Sequence, residues 1–257
     1  MADTTLPALN PDLLDTATPP IPQAQGWARA YDGRSGQLVD LSQAVPGSPP
    51  PAALLERLAQ AAASPDATRY GPITGDMALR EAYAAEIGRI YGAPFKPGEV
   101  AITSGCNQAF VMTTMAVARA GQNVLLPTPW YFNHEMTLRM LGIEARPLPC
   151  DPTAGFVPDV ATAEALIDAG TRAIVLVTPN NPTGAIYPPA TIAAFAELCA
   201  RRGLWLVLDE TYRDFLPAGA AAPHEVFATA PWQASTAFPR PMPCRAGAWA
   251  PSRRAKR

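Results

Sequence analysis

The run Ala173-Ile174-Val175-Leu176-Val177, with the seven residues after it, constrains this chain most. Five consecutive apolar residues rich in β-branched side chains fit a strand buried on both faces, as in parallel sheets. Thr178-Pro179-Asn180-Asn181-Pro182-Thr183-Gly184 then breaks the strand, and a helical pattern starts near Pro189. In open α/β sheets, a turn at the carboxyl end of a buried strand is where ligands are held.

The chain on either side repeats that logic. Strands are expected at 100–103, 123–126, 144–148, 173–177 and 204–208. Helices are expected at 105–119, 131–141, 161–168 and 189–202, several of them closed by a glycine such as Gly121, Gly142 or Gly203. Alternation of this kind implies an α/β fold with a mostly parallel sheet flanked by helices. Before it come helices from Pro51, with Leu54, Leu55, Leu58 and Ala62 on one face, and from Asp76 to Tyr91, with Leu79, Tyr83, Ile87 and Ile90 inward. Residues 1–50 are rich in proline and polar groups and suit an extended arm, with one short strand at Leu38-Val39-Asp40-Leu41.

Composition narrows the function classes. A 48% hydrophobic chain with 16% charged residues is globular, and no apolar run approaches the ~18 residues of a membrane helix. The first five residues, Met1-Ala2-Asp3-Thr4-Thr5, lack the basic and apolar regions of a signal peptide, so a cytoplasmic location is expected. Cys106, Cys150, Cys199 and Cys244 are scattered without a Cys-x-x-Cys pair, and His134 and His224 are the only histidines. That spacing argues against a zinc site, a disulfide framework and a histidine relay. Charge is uneven: residues 232–257 carry six basic groups and no acid, against a net −2 for the whole chain. A break of this kind marks a tail of separate role or origin.

Four further segments carry chemistry. Ser104-Gly105-Cys106-Asn107-Gln108-Ala109 joins a strand to a helix, with Ser104 as a plausible N-cap. The free N–H groups and positive end of such a helix suit a phosphate, although an ordinary capped helix has the same pattern. Trp130, Tyr131 and Phe132 follow the strand at 123–126; three aromatics there cannot all be core, and one ring could stack on an aromatic ligand. Asp209-Glu210-Thr211-Tyr212 places a carboxylate at the end of a buried strand, which is costly unless paired. Tyr70-Gly71-Pro72-Ile73-Thr74-Gly75, with Leu79-Arg80 beyond it, would alone be a surface turn.

Together with Asn-Pro-Thr-Gly at 181–184, these segments, in this order, resemble the motifs of the class I and II aminotransferases, fold-type-I enzymes dependent on pyridoxal 5'-phosphate (PLP). The resemblance implies transfer of an amino group between an amino acid and a 2-oxo acid, with a C–S lyase on the same scaffold as the alternative. It implies that Gly105, Cys106 and Asn107 hold the phosphate. Tyr131, with Trp130 as the fallback, stacks on the ring. Asn181 and Tyr212 donate to its phenolic oxygen, and Asp209 pairs with its protonated nitrogen. Tyr70 would reach the phosphate of a neighbouring subunit, which implies a homodimer. Leu41-Ser42-Gln43-Ala44-Val45-Pro46-Gly47 resembles, less specifically, the segment that covers substrate. Neither a nucleic-acid nor a membrane partner is expected.

One motif of the resemblance is absent. The family's Schiff-base lysine lies some thirty residues beyond the Asp-x-x-Tyr aspartate, in a Ser-x-Ser-Lys context. The only lysines here are Lys96, in a Pro-rich turn, and Lys256, in Arg253-Arg254-Ala255-Lys256-Arg257. The similarity ends near Trp232, ahead of the arginine that grips the substrate carboxylate and of the small domain. The expectation is therefore three segments: an arm at 1–50, an incomplete PLP-binding large domain at 51–231, and a basic, non-native tail at 232–257 from a truncation or reading-frame change. No secondary structure is expected in that tail. Without the lysine the chain is expected to be inactive, the alternative being a non-catalytic fragment with at most weak PLP binding. Without the family's last strands, those at 100–103 and 204–208 would lose their inner neighbours and leave it aggregation-prone.

Overall fold

A computed structural model describes residues 8–43 and 49–216, and the backbone of two short strands at 235–237 and 247–249. Residues 44–47 of the covering segment, His224, the composition break at 232, Cys244 and Lys256 lie outside them.

The first fifty residues are not uniformly extended. They contain α1 (Pro11–Leu14) and α2 (Ile21–Ala30), both opened by a proline in the first turn. Proline there lacks only an N–H that the helix would leave unpaired. Leu38 to Leu41 form no strand, and with Val39 and Leu41 exposed no sheet is there to receive them. The helices α3 (Ala52–Ala62) and α4 (Met77–Tyr91) lie where the periodicity put them. Their faces need correction. In α3 only Leu54 and Leu58 are half-buried; Leu55 and Ala62 are exposed. In α4 Tyr83 and Ile87 are buried and Ile90 half-buried, but Leu79 is exposed and its neighbour Arg80 is buried. Arg80 is held there by charge-assisted bonds from its Nε and Nη2 to the carbonyls of Val100 and Pro97, at 2.8 and 2.6 Å.

Beyond α4 the expected alternation holds. The strand β1 (Ala101–Thr103) leads to α5 (Cys106–Val117), and β2 (Asn123–Thr128) to α6 (Phe132–Met140). Next come β3 (Glu144–Pro149), α7 (Val160–Leu166), β4 (Thr171–Val177), α8 (Pro189–Arg202) and β5 (Trp205–Asp209). The order in the main sheet is β3-β2-β4-β5, with every pair parallel. β3 lies at the edge, where the missing donors of Pro147 and Pro149 cost no ladder bond.

The two-residue period of the strands divides the core. Leu125, Ile174, Leu176, Leu206 and Leu208 face one way, toward Ile192, Phe195 and Cys199 of α8. Val124, Leu126, Ala173, Val175 and Val207 face the other way, toward Phe110 of α5 and Leu138 of α6. α8 is closed by Gly203 at φ 66°, a left-handed conformation that glycine adopts without strain, with Arg201 and Arg202 at the negative helix end.

Two expectations about the sheet are overturned. β1 is not part of the parallel sheet; it pairs antiparallel with β7 (Gly247–Trp249), which pairs antiparallel with β6 (Ser235–Ala237). The tail thus contains two strands, and backbone pairing supplies β1 with a neighbour in a stretch that has no side-chain period to announce it. On its outer side β5 lies against β6, with no ladder between the two among the described residues.

Candidate functional site

The sheet order reverses between β2 and β4, since the chain steps from β2 outward to β3 and then back to β4 and β5. The carboxyl ends of strands on either side of such a reversal form a crevice, which the predicted segments line. Thr128-Pro129-Trp130-Tyr131 follows β2, the Asn-Pro-Thr-Gly turn follows β4, and Asp209 ends β5.

Asp209 is buried, and burial alone would raise the pKa of its carboxyl. A hydrogen bond and charge attraction from His134, with the Thr211 hydroxyl and backbone N–H, outweigh it and leave the pKa below the usual carboxylate value. Thr211 donates to Oδ1 from Oγ1 at 2.6 Å and from its backbone N–H at 3.0 Å. His134 Nε2 stands 3.2 Å from Oδ2. The imidazole is itself fixed, stacked on Phe110 with ring centroids 4.0 Å apart and set edge-on to Tyr131 at 5.2 Å. His134 is a functional candidate that the sequence reading passed over. Its signal was its spacing, three residues after Tyr131, which returns it to the same side one helical turn later.

Tyr131 is half-buried, and burial, with the nearby Cys106 thiol, holds its hydroxyl pKa above the ordinary value. Asn133 Nδ2 donates to that hydroxyl at 2.6 Å; this bond and the nearby Asn107 side chain work against the shift without cancelling it. The neighbouring Trp130 packs against the core face that includes Val124 and Leu126.

Gly105, not Ser104, is the N-cap of α5, at φ 98° and ψ 170°. Those angles are close to glycine-only, so glycine is what lets the backbone turn into the helix there. Ser104 instead has its backbone N–H bound to Gln108 Oε1 at 2.6 Å. Cys106 and Asn107 open the helix, where N–H groups have no carbonyl of their own helix to reach.

Asn181 is half-buried, with Nδ2 3.5 Å from the Tyr212 hydroxyl, so the two predicted partners converge. Tyr70 does not join them; it is fully exposed. Lys96 is exposed too, in the turn that enters β1, whereas the candidate residues gather where strands leave the sheet. Glu210 and Arg213, missed in the sequence, are buried beside Asp209 and Tyr212. Glu210 accepts a hydrogen bond from Tyr91 of α4, and the Arg213 guanidinium lies 3.7 Å from Glu210 and over the Tyr91 ring. No group of three or more potential metal ligands occurs among the described residues, and none of their helices is long and apolar enough to cross a membrane.

The sequence profile of aminotransferase class I and II matches residues 36–234. The chain belongs to that family. Its match ends close to the composition break at 232. The valine–pyruvate aminotransferase of Mycobacterium tuberculosis is 33% identical over 211 residues, which are 80% of this chain and 53% of that protein. The aspartate/prephenate aminotransferase of Thermus thermophilus is 34% identical over 152 residues, 59% of this chain and 40% of the relative. The chain thus spans about half the length, or less, of these curated aminotransferases. Among solved structures, the aspartate aminotransferase from Thermus thermophilus with maleate superposes with a TM-score of 0.83 at 26% identity, covering 96% of this chain and 65% of that one. The fold is accordingly that of an aminotransferase large domain, and the family is one of PLP-dependent enzymes.

Proposed function

We propose that this chain is the cofactor-binding part of a PLP-dependent aminotransferase, which holds PLP without a covalent tether and does not itself complete amino transfer. The observation that carries the reading is the convergence on one crevice of an ionised, buried Asp209, a half-buried Tyr131 ring, the Asn181–Tyr212 pair and the first turn of α5.

The donor set fits the group. The first-turn N–H groups at Cys106 and Asn107 would bind the phosphate dianion, with the positive end of α5 behind them. Tyr131 would cover one ring face, fixed by Asn133 through its hydroxyl. Asn181 and Tyr212 would donate to the phenolic oxygen. Asp209 would hold a proton on the ring nitrogen; Thr211 occupies its Oδ1, and His134 fixes the direction of Oδ2. Bound PLP supplies an electron sink, and a cationic ring nitrogen is what the Asp209 carboxylate would preserve. Lys96 lacks the strand-end setting of a proton-shuttling lysine. The homodimer suggested by Tyr70, the amino acid and 2-oxo acid substrates, and a cytoplasmic setting belong to the complete enzyme in this reading. The division of this chain at 50 and 231 into an arm, an incomplete PLP-binding large domain and a non-native tail belongs to the same reading.

Titration with PLP tests this. Saturable quenching of tryptophan fluorescence is expected, abolished or much weakened in Asp209→Ala, with no label retained after borohydride and denaturation. Failure to bind PLP at millimolar concentration would overturn the binding. A borohydride-fixed label on Lys96 or Lys256 would overturn the claim that the tether is absent.

A further inference from the structure

The residue ahead of the predicted ligand is more completely engaged than the ligand itself. Asn180 is buried, and every polar group it has is used. Its backbone N–H donates to Ala185 O at 2.8 Å and its carbonyl accepts from Gly184 N at 2.9 Å. Its side-chain Oδ1 accepts from both the backbone N–H and the hydroxyl of Thr183, at 3.1 and 2.8 Å. Its Nδ2 donates to the buried Tyr187 hydroxyl at 3.1 Å. Residues 180–187 are thereby closed into a loop by one amide.

That loop is anchored to the strand that carries Asp209. The Thr178 hydroxyl accepts from the Tyr187 backbone N–H at 3.0 Å, and the Thr178 N–H donates to the Asp209 carbonyl at 3.0 Å. Pro179 and Pro182 flank the asparagine pair and can donate nothing, so side chains must supply the bonds the backbone lacks. Asn181, by contrast, has a half-buried side chain whose hydrogen bond here is the long one, 3.5 Å, to Tyr212. A side chain held so loosely takes its direction from its backbone.

We propose that Asn180 is a positioning residue, whose buried amide fixes the 180–187 loop so that the Asn181 amide is presented beside the Tyr212 hydroxyl to the phenolic oxygen of the bound cofactor. The proposal rests on the PLP-binding reading for its ligand and on the loop geometry alone for its mechanism. Two readouts therefore separate the two. The first is hydrogen exchange without ligand. Asn180→Ala is expected to speed exchange across 180–187 on the order of tenfold, while β4 and β5 stay protected. Asn180→Asp is expected to restore protection, because a carboxylate still accepts from Thr183 and the Tyr187 hydroxyl can turn to donate to it.

The second readout is the pH titration of the absorbance of bound PLP. Asn180→Ala should move its midpoint upward, as Asn181→Ala does, because the phenolate loses a donor; Asn180→Asp should reverse that shift. Unchanged exchange in Asn180→Ala would overturn the proposal, as would a PLP titration like the wild type's while that of Asn181→Ala moves. If Asn180→Ala does not fold, Tyr187→Phe removes one hydroxyl and must loosen the same loop. If the wild type binds no PLP, the functional reading fails and hydrogen exchange still decides whether Asn180 holds the loop.

Discussion

Asp209 is costly to bury and is stabilised as an anion by His134 and Thr211. Its pKa in the fold lies below the ~3.9 of a free aspartate, so its ionised form stabilises the fold. That contribution is complete above the unfolded value and is lost as the pH falls through the folded one. Melting temperature should therefore drop as the pH falls below about 4. Asp209→Asn should flatten that dependence; an equal slope in the variant would show that the carboxylate is not held as an anion. In sequence, Asp209 was legible because a carboxylate at the end of a five-residue apolar strand needs a partner. The partner was not legible. His134 lies on a helix 75 positions away, and only the packing of α6 against the sheet brings it to 3.2 Å. Tyr131, Asn181 and Tyr212 were legible as residue types at strand ends; Glu210 was not, because nothing local says that it meets Tyr91 of α4.

At the scale of elements, α8 shows what periodicity can and cannot carry. Ile192, Phe195 and Cys199 recur at helical spacing, and all three are buried against β4 and β5. Phe195→Ala should cost ~3–5 kcal/mol of unfolding free energy, measured by urea denaturation, because it empties a fully buried site. A loss below ~1 kcal/mol would mean that the helix does not bury this face. α4 followed the same rule at Tyr83 and Ile87 and broke it at Leu79, which is exposed, while Arg80 is buried. Periodicity counts apolar groups. It has no term for a guanidinium whose donors find two carbonyls in the turn before β1. α2 was invisible for the opposite reason. None of its residues is buried, so no core face marks it, and its start is signalled only by prolines.

Across the whole molecule the open question is the margin of the sheet. β1 is paired by β7 from the tail, and β6 of the tail lies beside β5. Strand edges that depend on so short a tail template association whenever it comes away. The chain is expected to run as a mixture of soluble aggregates in size-exclusion chromatography. Deletion of 232–257 should worsen this and strip amide protection from 101–103; a sharp peak and an unchanged melt would show that the edges are covered otherwise. The alternation of strands and helices, the two-faced core and the strand-end positions of Asn181 and Asp209 were settled by the sequence. They depend on residue spacing and on the cost of leaving apolar groups in water, both of which act along the chain. The split into two sheets, the pairing of β1 with the tail, the contact of His134 with Asp209 and the closure of the loop by Asn180 were settled only in three dimensions. Each joins groups whose hydrogen-bonding capacity is common to many residues, and which partner satisfies it depends on what the fold brings within reach.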